Sequence, residues 1–326
     1  MDSHPARSAA SNLLLPFAAL LLAAAPARAD IAVVLNSGDE SVSIVDVKTF
    51  KEIARRPIGK EPHHLMKTPD DKYLIVANAA SNELVFLDPA TGAEQRRLKD
   101  ISDPYQIGFS PDQRWFVSAS NRLDRIDLYD GRDFKLVKRF PAPKVPSHIA
   151  FDAKSRYAFV TLQESDELVA IDLPKQEIAW KMKVGRQPAG VWMTPDDKHL
   201  LVGLTGDKFV EVIDWRTQKP VKKLVTGQGA HNFLPMGDGK RVLLSNRVAN
   251  TISVIDQDTL DVVDTIPVPG GPDCMELSKD GSQLWVTSRW ARQVTVVDMG
   301  TKKIMKTVAV GKSPHGIFLK DHAPRR

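Results

Sequence analysis

The segment TISVID, residues 251–256, is one of seven copies of a short apolar motif that ends in aspartate. The flanking copies, EVID at 211–214 and TVVD at 295–298, end 42 residues before and after it. The full row of aspartates, with the same spacing throughout, is Asp46, Asp88, Asp130, Asp172, Asp214, Asp256 and Asp298. A second row with this period is Pro62, Pro104, Pro146, Pro188, Ala230, Pro272 and Pro314. A fixed period of about 40 residues indicates a repeat architecture.

Each period contains four short apolar segments separated by polar turns. In the first complete period these segments are HHLMK (63–67), KYLIVAN (72–78), ELVFLD (83–88) and ATGAEQRRL (90–98). The breaks between them are rich in Pro, Asp, Asn and Gly, which favour turns. Four strands in about 40 residues are typical of one blade of a β-propeller. Since one blade cannot bury both of its faces, the blades must pack around an axis.

The two ends of the chain complete one blade between them. SPHGIFLK (313–320) supplies only an innermost strand, whereas IAVVLN (31–36), SVSIVD (41–46) and KEIARR (51–56) supply the other three. The sequence therefore predicts an all-β fold, a seven-bladed β-propeller of four-stranded blades. Pairing of the N- and C-terminal strands in one blade closes the ring.

Residues 1–29 have the pattern of a secretory signal peptide. Arg7 precedes the apolar run LLLPFAALLLAAA (13–25), and the small residues of ARA (27–29) precede Asp30. We expect cleavage near Ala29, export to the periplasm or the medium, and a single propeller domain over residues 30–326. The apolar run is too short to span a bilayer, and no membrane span is expected. Cys274 is the only cysteine of the chain, which excludes an internal disulfide.

The charges do not point to a polyanionic partner. The formal net charge of the 326-residue chain is +5, with 45 basic and 40 acidic residues that are interleaved along the sequence. Nucleic-acid binding usually needs clustered basic residues, so we expect no nucleic-acid partner. The expected partner is a small ligand or another periplasmic protein, and the expected state is a monomer.

Polar residues converge on one end of the predicted channel. The innermost strand of each blade begins just after the proline row, and the turn between its second and third strands lies at the same end, here called the mouth. Five of the seven histidines after residue 29 occupy the two positions that follow the proline row; the exceptions are His199 and His322. The candidate ligand-binding residues are His63, His64, His148, His231, Arg247, Asp273, Arg289, Trp290 and His315.

Two kinds of ligand suit these side chains. Converging imidazoles bind transition metals such as copper or zinc, which predicts His63, His231 and His315 as metal ligands, with Asp273 or Cys274 adding an anionic one. Arginines bind carboxylates or phosphates in forked geometry, which assigns Arg247 and Arg289 to an anion. Trp290 would then stack on a planar group.

A structural interpretation competes with both. A histidine in the sequence PHG, as at His315, can satisfy backbone groups at the strand entrance, and Cys274 can be a small buried residue. The aspartates of the 42-residue row are expected to form turns, because Asp side chains accept hydrogen bonds from nearby backbone amides.

The repeat resembles a known family. PHGIFL (314–319), SPDQ (110–113), LIVAN (74–78) and ISVID (252–256) resemble the four parts of the repeat in YVTN β-propellers, including the exported YncE-like proteins. The resemblance covers essentially residues 31–320. It implies the propeller fold but no single activity, because this architecture carries binding proteins, scaffolds and enzymes.

The function expected from the residues is that of an exported binding protein, not an enzyme, which holds a metal ion or small anionic cofactor at the mouth. No blade departs from 42 residues, so no inserted loop is available as a lid. One alternative is an oxidoreductase or a role in maturation of a non-covalent tetrapyrrole, by distant similarity to eight-bladed propellers of the cytochrome d1 type. Covalent haem is excluded, since the chain has no Cys-x-x-Cys-His motif. Another alternative is a lactonase-like hydrolase that uses Glu164 and Arg122.

Overall fold

The computed structural model describes residues 1–2 and 30–325 and contains 28 strands arranged in seven sheets. The strands are β1 (Ile31–Asn36), β2 (Ser41–Asp46), β3 (Lys51–Pro57), β4 (Pro62–Lys67), β5 (Leu74–Asn78), β6 (Glu83–Leu87), β7 (Glu94–Lys99), β8 (Gln106–Phe109), β9 (Trp115–Ser120), β10 (Arg125–Asp130), β11 (Leu136–Pro141), β12 (Pro146–Phe151), β13 (Tyr157–Leu162), β14 (Glu167–Asp172), β15 (Glu177–Lys183), β16 (Pro188–Met193), β17 (His199–Leu204), β18 (Phe209–Asp214), β19 (Lys219–Val225), β20 (Ala230–Pro235), β21 (Arg241–Asn246), β22 (Thr251–Asp256), β23 (Asp261–Pro267), β24 (Pro272–Leu277), β25 (Gln283–Ser288), β26 (Gln293–Asp298), β27 (Lys303–Ala309) and β28 (Pro314–Leu319). A 3₁₀ helix at Ser37–Asp39 joins β1 to β2. The predicted signal peptide lies, apart from its first two residues, outside the described part of the chain.

The sheets are the seven predicted blades. The first blade is β4–β7, and the second to sixth follow in chain order as β8–β11, β12–β15, β16–β19, β20–β23 and β24–β27. The seventh has the order β28-β1-β2-β3, in which Val33 pairs with Phe318 and Val34 with Ile317. The predicted fold and the closure of its ring are therefore confirmed. Among the described residues, no helix has the length and apolar character needed to cross a bilayer.

Apolar contacts between neighbouring blades form the core. Trp115, Val117 and Leu128 of the second blade pack with Val160 and Ile171 of the third, all buried. The other junctions contain similar clusters of β-branched and aromatic residues. Burial of both faces in this way stabilises a blade that is unstable alone.

The aspartates of the 42-residue row form turns, as predicted. Asp46 accepts a hydrogen bond from the Thr49 backbone amide at 2.7 Å, and Asp298 accepts the equivalent bond from Thr301 at 2.7 Å. The other five aspartates accept bonds from backbone amides two or three residues ahead. These side chains are occupied by hydrogen bonds within their own turns.

One glycine is required where two innermost strands approach each other. A Cβ atom at Gly190 would lie 2.0 Å from the His231 carbonyl oxygen, a backbone atom that cannot move aside cheaply. We expect Gly190→Ala to lower the free energy of unfolding by about 2–3 kcal/mol, the cost typical of overpacking. Denaturant titration measures the change. Gly300→Ala is the matched control, because its Cβ would meet only the Asp298 side chain at 3.4 Å. Equal stability of the two variants would contradict this packing.

Candidate functional site

A backbone irregularity in six of the seven blades turns consecutive residues of the innermost strand toward the channel. The register between the first two strands shifts after the proline position: in the first blade Pro62 pairs with Asn78, but His64 already pairs with Ala77. In the sixth blade the shift falls between Pro272 and Met275. Such a β-bulge places two residues opposite one and re-aims their side chains. Strict alternation across the strand therefore does not apply to adjacent histidines such as His63 and His64.

The bulge is fixed by hydroxyl groups of the second strand in several blades. In the sixth blade Thr287 Oγ1 accepts a bond from the Cys274 amide at 3.0 Å and lies 2.8 Å from the His315 carbonyl oxygen of the next blade. Thr161 makes the equivalent contacts to His148 and Ala189. These hydroxyls tie the bulge of one blade to the strand entrance of the next.

The histidines and the aspartate of the mouth lie close together. We call His63, Tyr105, His148, His231, Asp273 and His315 the mouth cluster. The His63 ring lies 3.6 Å from the Tyr105 ring and 3.8 Å from the His315 ring, between centroids. His231 lies 4.8 Å from His148 and 6.3 Å from His315. All four histidines and Asp273 are buried.

Backbone carbonyls determine which nitrogen of two histidines carries the proton. His63 Nδ1 lies 2.8 Å from the Tyr105 carbonyl oxygen, and His315 Nδ1 lies 2.7 Å from the His63 carbonyl oxygen. A carbonyl oxygen only accepts, so Nδ1 must donate and Nε2 holds a lone pair. Neither Nε2 atom has a hydrogen-bond partner among the described residues, and both are shielded from solvent. His315 Nε2 lies 3.6 Å from Asp273 Oδ2, just beyond hydrogen-bond distance.

Asp273 is the centre of the charges at the mouth. Arg247 Nη2 donates to both carboxylate oxygens at 2.8 and 2.7 Å, and Arg289 Nη1 donates to Oδ2 at 3.2 Å. His231 Nδ1 lies 3.1 Å from Asp273 Oδ1. The Arg289 Nε atom is held by Ser313 Oγ at 3.0 Å, whereas Nε of Arg247 is buried and has no partner in the described chain. The arginine side chains are 20% and 27% exposed and form the rim of the mouth.

Burial keeps the histidines of the mouth neutral. Desolvation lowers the pKa of His148, His231 and His315 to about 3, and nearby guanidiniums act in the same direction. It also holds the pKa of His63 well below its usual value of 6.5. Burial acts to raise the pKa of Asp273, but the Coulombic attraction of the Arg247 guanidinium opposes it, and that pKa lies well below 3.8. The carboxylate is therefore charged and the imidazoles are not.

A second row of side chains lies deeper in the channel, around a cavity of about 180 Å³. His64 Nε2 lies 3.2 Å from Gln106 Nε2, and Cys274 Sγ accepts a bond from Asn232 Nδ2 at 3.0 Å. Burial raises the pKa of the Cys274 thiol and lowers that of His64 to about 3. Arg325, near the C-terminus, also lines this cavity, where it pairs with the buried Glu276.

The described residues present one compact group of three potential metal ligands, Asp273, Cys274 and His315. Their donor atoms lie within 4.8 Å of one another. Of the three histidines predicted as metal ligands, only His315 belongs to this group. His63 and His231 lie beside it, through their ring contacts with His315.

Two other predictions concern residues outside the cluster. Trp290 is 58% exposed and lies over the turn at Gly271, where a Cβ would approach its ring to 2.5 Å. Arg122 is held by Asp103, at 2.7 Å, and by Glu61. The site residues that were not predicted include Tyr105, Gln106, Asn232, Ser313 and Arg325. The first three occupy the two positions that follow the proline row, and this position was the signal that could have found them.

The strand order and the arrangement of the mouth define a seven-bladed β-propeller with a charged, histidine-lined opening. A model of the YNCE-like β-propeller family matches residues 8–325, and the chain belongs to this family. No curated protein matches it.

Several solved structures are similar. A functionally unknown protein from Desulfotomaculum acetoxidans DSM 771 aligns with a TM-score of 0.77 at 15% identity over 90% of this chain and 100% of that one. Dihydro-heme d1 dehydrogenase NirN in complex with DHE aligns at 0.67 with 17% identity, over 91% and 77% of the two chains. Kuenenia stuttgartiensis hydrazine synthase aligns at 0.67 with 18% identity, over 78% and 88%. At these identities the similarity shows the fold alone.

Proposed function

We propose that the protein is an exported, non-catalytic binding protein, which holds a small oxyanion bearing a hydroxyl group at its mouth. Hydrogen phosphate and hydroxycarboxylates belong to this class. The observation that carries the proposal is the combination of unpartnered buried atoms: a donor, Arg247 Nε, beside the acceptors His63 Nε2 and His315 Nε2. Buried polar atoms without partners are costly, and such a ligand supplies both kinds of partner.

The charges favour an anion. Arg247 and Arg289 face a single carboxylate, Asp273, and the neutral imidazoles add no charge. Around Asp273 itself one positive charge is therefore in excess, in a largely desolvated setting where charge interactions are strong. Arg289 Nη2 makes no hydrogen bond to another described side chain, so donors remain for a ligand oxygen. A solute that enters the mouth meets these partly exposed guanidiniums first.

The histidines select for a protonated oxyanion. Because Nδ1 of His63 and of His315 donates to a carbonyl oxygen, Nε2 can only accept. A hydroxyl of the ligand would donate to Nε2 while its anionic oxygens accept from the arginines. A fully deprotonated anion such as sulfate has no proton to donate and should bind less tightly.

A transition-metal ion is the second candidate, supported by the group of Asp273, Cys274 and His315. Two features make it weaker. Both oxygens of Asp273 already accept bonds from arginine, and burial raises the pKa of the Cys274 thiol, which disfavours the thiolate that binds metal. A cation would also be repelled by Arg247 and Arg289, which lie beside Asp273. A tetrapyrrole exceeds the 180 Å³ of the channel cavity, since pockets for larger ligands span about 300–1,000 Å³, and would have to lie across the rim.

Isothermal titration calorimetry with inorganic phosphate near neutral pH tests the proposal. We expect one site, and we expect Arg289→Gln to weaken it by about tenfold or more, because a charge-assisted hydrogen bond is lost. The control Arg241→Gln removes an arginine that pairs with Asp238 at the end of the fifth blade away from the mouth, and should leave phosphate affinity unchanged. No binding of phosphate, or equal affinity of the Arg289→Gln variant and the wild type, would reject the oxyanion site. Binding of zinc or copper(I) in its place would support the second candidate.

A further inference from the structure

A large groove lies between the first and second blades, at the end of the propeller opposite the mouth. Its volume is about 870 Å³, within the range of about 300–1,000 Å³ seen for small-molecule pockets. The turn after β4 and strand β7 form one wall. The turns after β8 and β10, in the second blade, form the other. The lining side chains used in the argument are Tyr73, Arg96, Phe109, Arg114 and Phe134.

Two arginines of this groove have no acidic partner. Within the described chain, neither Arg96 nor Arg114 has a carboxylate oxygen within 4.0 Å, although most arginines of the molecule do. The Arg96 guanidinium lies over the Phe86 ring at 3.5 Å, and that of Arg114 lies over the Trp115 ring at 4.7 Å. Stacking holds these planar cations in place and leaves their N–H groups for a ligand.

The walls of the groove are aromatic. Phe134 contacts Phe109 at 6.0 Å and Phe86 at 5.8 Å between ring centroids, and Tyr73 contacts Phe86 at 6.0 Å. Phe109 and Phe134 also pack on Phe116, each at 5.0 Å. Aromatic walls favour a flat, apolar ring system.

The seven-fold repeat provides an internal comparison. The equivalent groove between the fifth and sixth blades, four 42-residue periods further along, has a volume of about 580 Å³. There Asp264, Ser282 and Lys302 replace Arg96, Arg114 and Phe134, and Lys302 pairs with Asp264. The same backbone groove therefore contains an ion pair, Lys302 with Asp264, at one junction. At the other it carries an aromatic wall and two arginines that make no ion pair within 4.0 Å, although Asp70 and Asp112 also line it. The fold does not require these cations.

We infer that the groove between the first and second blades binds a planar aromatic anion, a ring system bearing a carboxylate, sulfonate or phosphate. The rings of the ligand would pack on Phe109, Phe134 and the stacked Arg96. Its anionic group would accept from Arg96 and Arg114. This site is separate from the mouth and does not depend on the function proposed for it.

The probe 8-anilinonaphthalene-1-sulfonate tests the inference by fluorescence titration, with uncharged N-phenyl-1-naphthylamine as its analogue. We expect the double substitution R96D and R114S, which installs the residues of the equivalent groove, to weaken sulfonate binding by about tenfold or more. The matched control, K138D with R156S, makes the same change of charge at the same positions of the next blade and should bind like the wild type. Thermal unfolding of both variants checks that each is folded before their binding is compared.

Two further results complete the test. The uncharged analogue should bind the wild type more weakly than the sulfonate does, and Arg289→Gln at the mouth should leave sulfonate binding unchanged. Equal affinity of the R96D and R114S variant and the K138D and R156S variant for the sulfonate would overturn the inference, as would equal binding of the two probes by the wild type.

Discussion

Lowering the pH from 7 to 4 should destabilise the protein steeply, because five buried histidines resist protonation. Folding lowers the pKa of His64, His148, His231 and His315 from 6.5 to about 3, and that of His63 well below 6.5. Between pH 6.5 and about 3 the unfolded chain therefore binds more protons than the folded one, so stability rises with pH in this window. Each histidine contributes up to about 1.4 kcal/mol per pH unit.

The combined effect is large compared with the stability of a domain. With five histidines the slope approaches about 7 kcal/mol per pH unit, against a typical total of about 5–15 kcal/mol. We therefore expect acid unfolding above pH 4. Asp273 does not contribute between pH 7 and 4, since its lowered pKa gives stability that is lost only as the pH falls below 3.8.

Urea titrations at a series of pH values between 4.5 and 8 measure this slope. The double variant His148→Gln with His231→Gln lacks two of these titrating groups. It should therefore have a slope smaller by up to about 2.7 kcal/mol per pH unit. The control Ser147→Ala removes a buried hydroxyl beside His148 without removing a titrating group, and should change the stability but not the slope. A stability that is flat between pH 7 and 4.5 would show that the histidines are not buried as described.

Replacing Asp273 by alanine should lower the free energy of unfolding by about 3–5 kcal/mol, the cost of breaking a buried ion pair by removing one partner. The two arginines that pair with Asp273, Arg247 and Arg289, are only 20% and 27% exposed. In the variant their charges repel each other with little water to screen them. The substitution also removes the carboxylate that lies beside His231 Nδ1. Denaturant titration at neutral pH measures the effect.

Two further variants separate charge from shape. Asp273→Asn keeps the size of the side chain and should still lose most of this stability, because the arginines lose their counter-charge. Asp256→Asn changes a solvent-facing turn aspartate whose bonds to the backbone an asparagine can replace, and should remain close to the wild type. If Asp273→Asn were as stable as Asp256→Asn, the ion pair would not organise the mouth.

The fold could be predicted because its determinants repeat. Seven aspartates and a row of prolines at 42-residue spacing mark the same turns in every blade, and the incomplete first and last segments can only complete one another. The same 42-residue spacing predicts that His63 and His315 lie close together, since they occupy equivalent positions of adjacent blades.

The chemistry of the mouth could not be predicted, because it depends on backbone geometry and side-chain contacts that the sequence pattern does not record. The bulge that re-aims His63 and His64 is a backbone irregularity, and the bond of His315 Nδ1 to the His63 carbonyl oxygen fixes a tautomer that the sequence does not record. The pairing of Arg247 with Asp273 joins a turn of the fifth blade to the innermost strand of the sixth. Trp290, predicted to stack on a ligand, covers the turn at Gly271. That the predicted residues bind a ligand remains a proposal.

A crystal structure of the protein soaked in hydrogen arsenate tests the central claim most directly. Hydrogen arsenate has the shape and the protonation of hydrogen phosphate, and its arsenic atom gives an anomalous signal that locates it. We expect one strong peak at the mouth, within hydrogen-bond distance of Arg247 and Arg289 and of Nε2 of His63 or His315. A mouth without a peak, at a concentration that places arsenate elsewhere on the surface, would contradict the account.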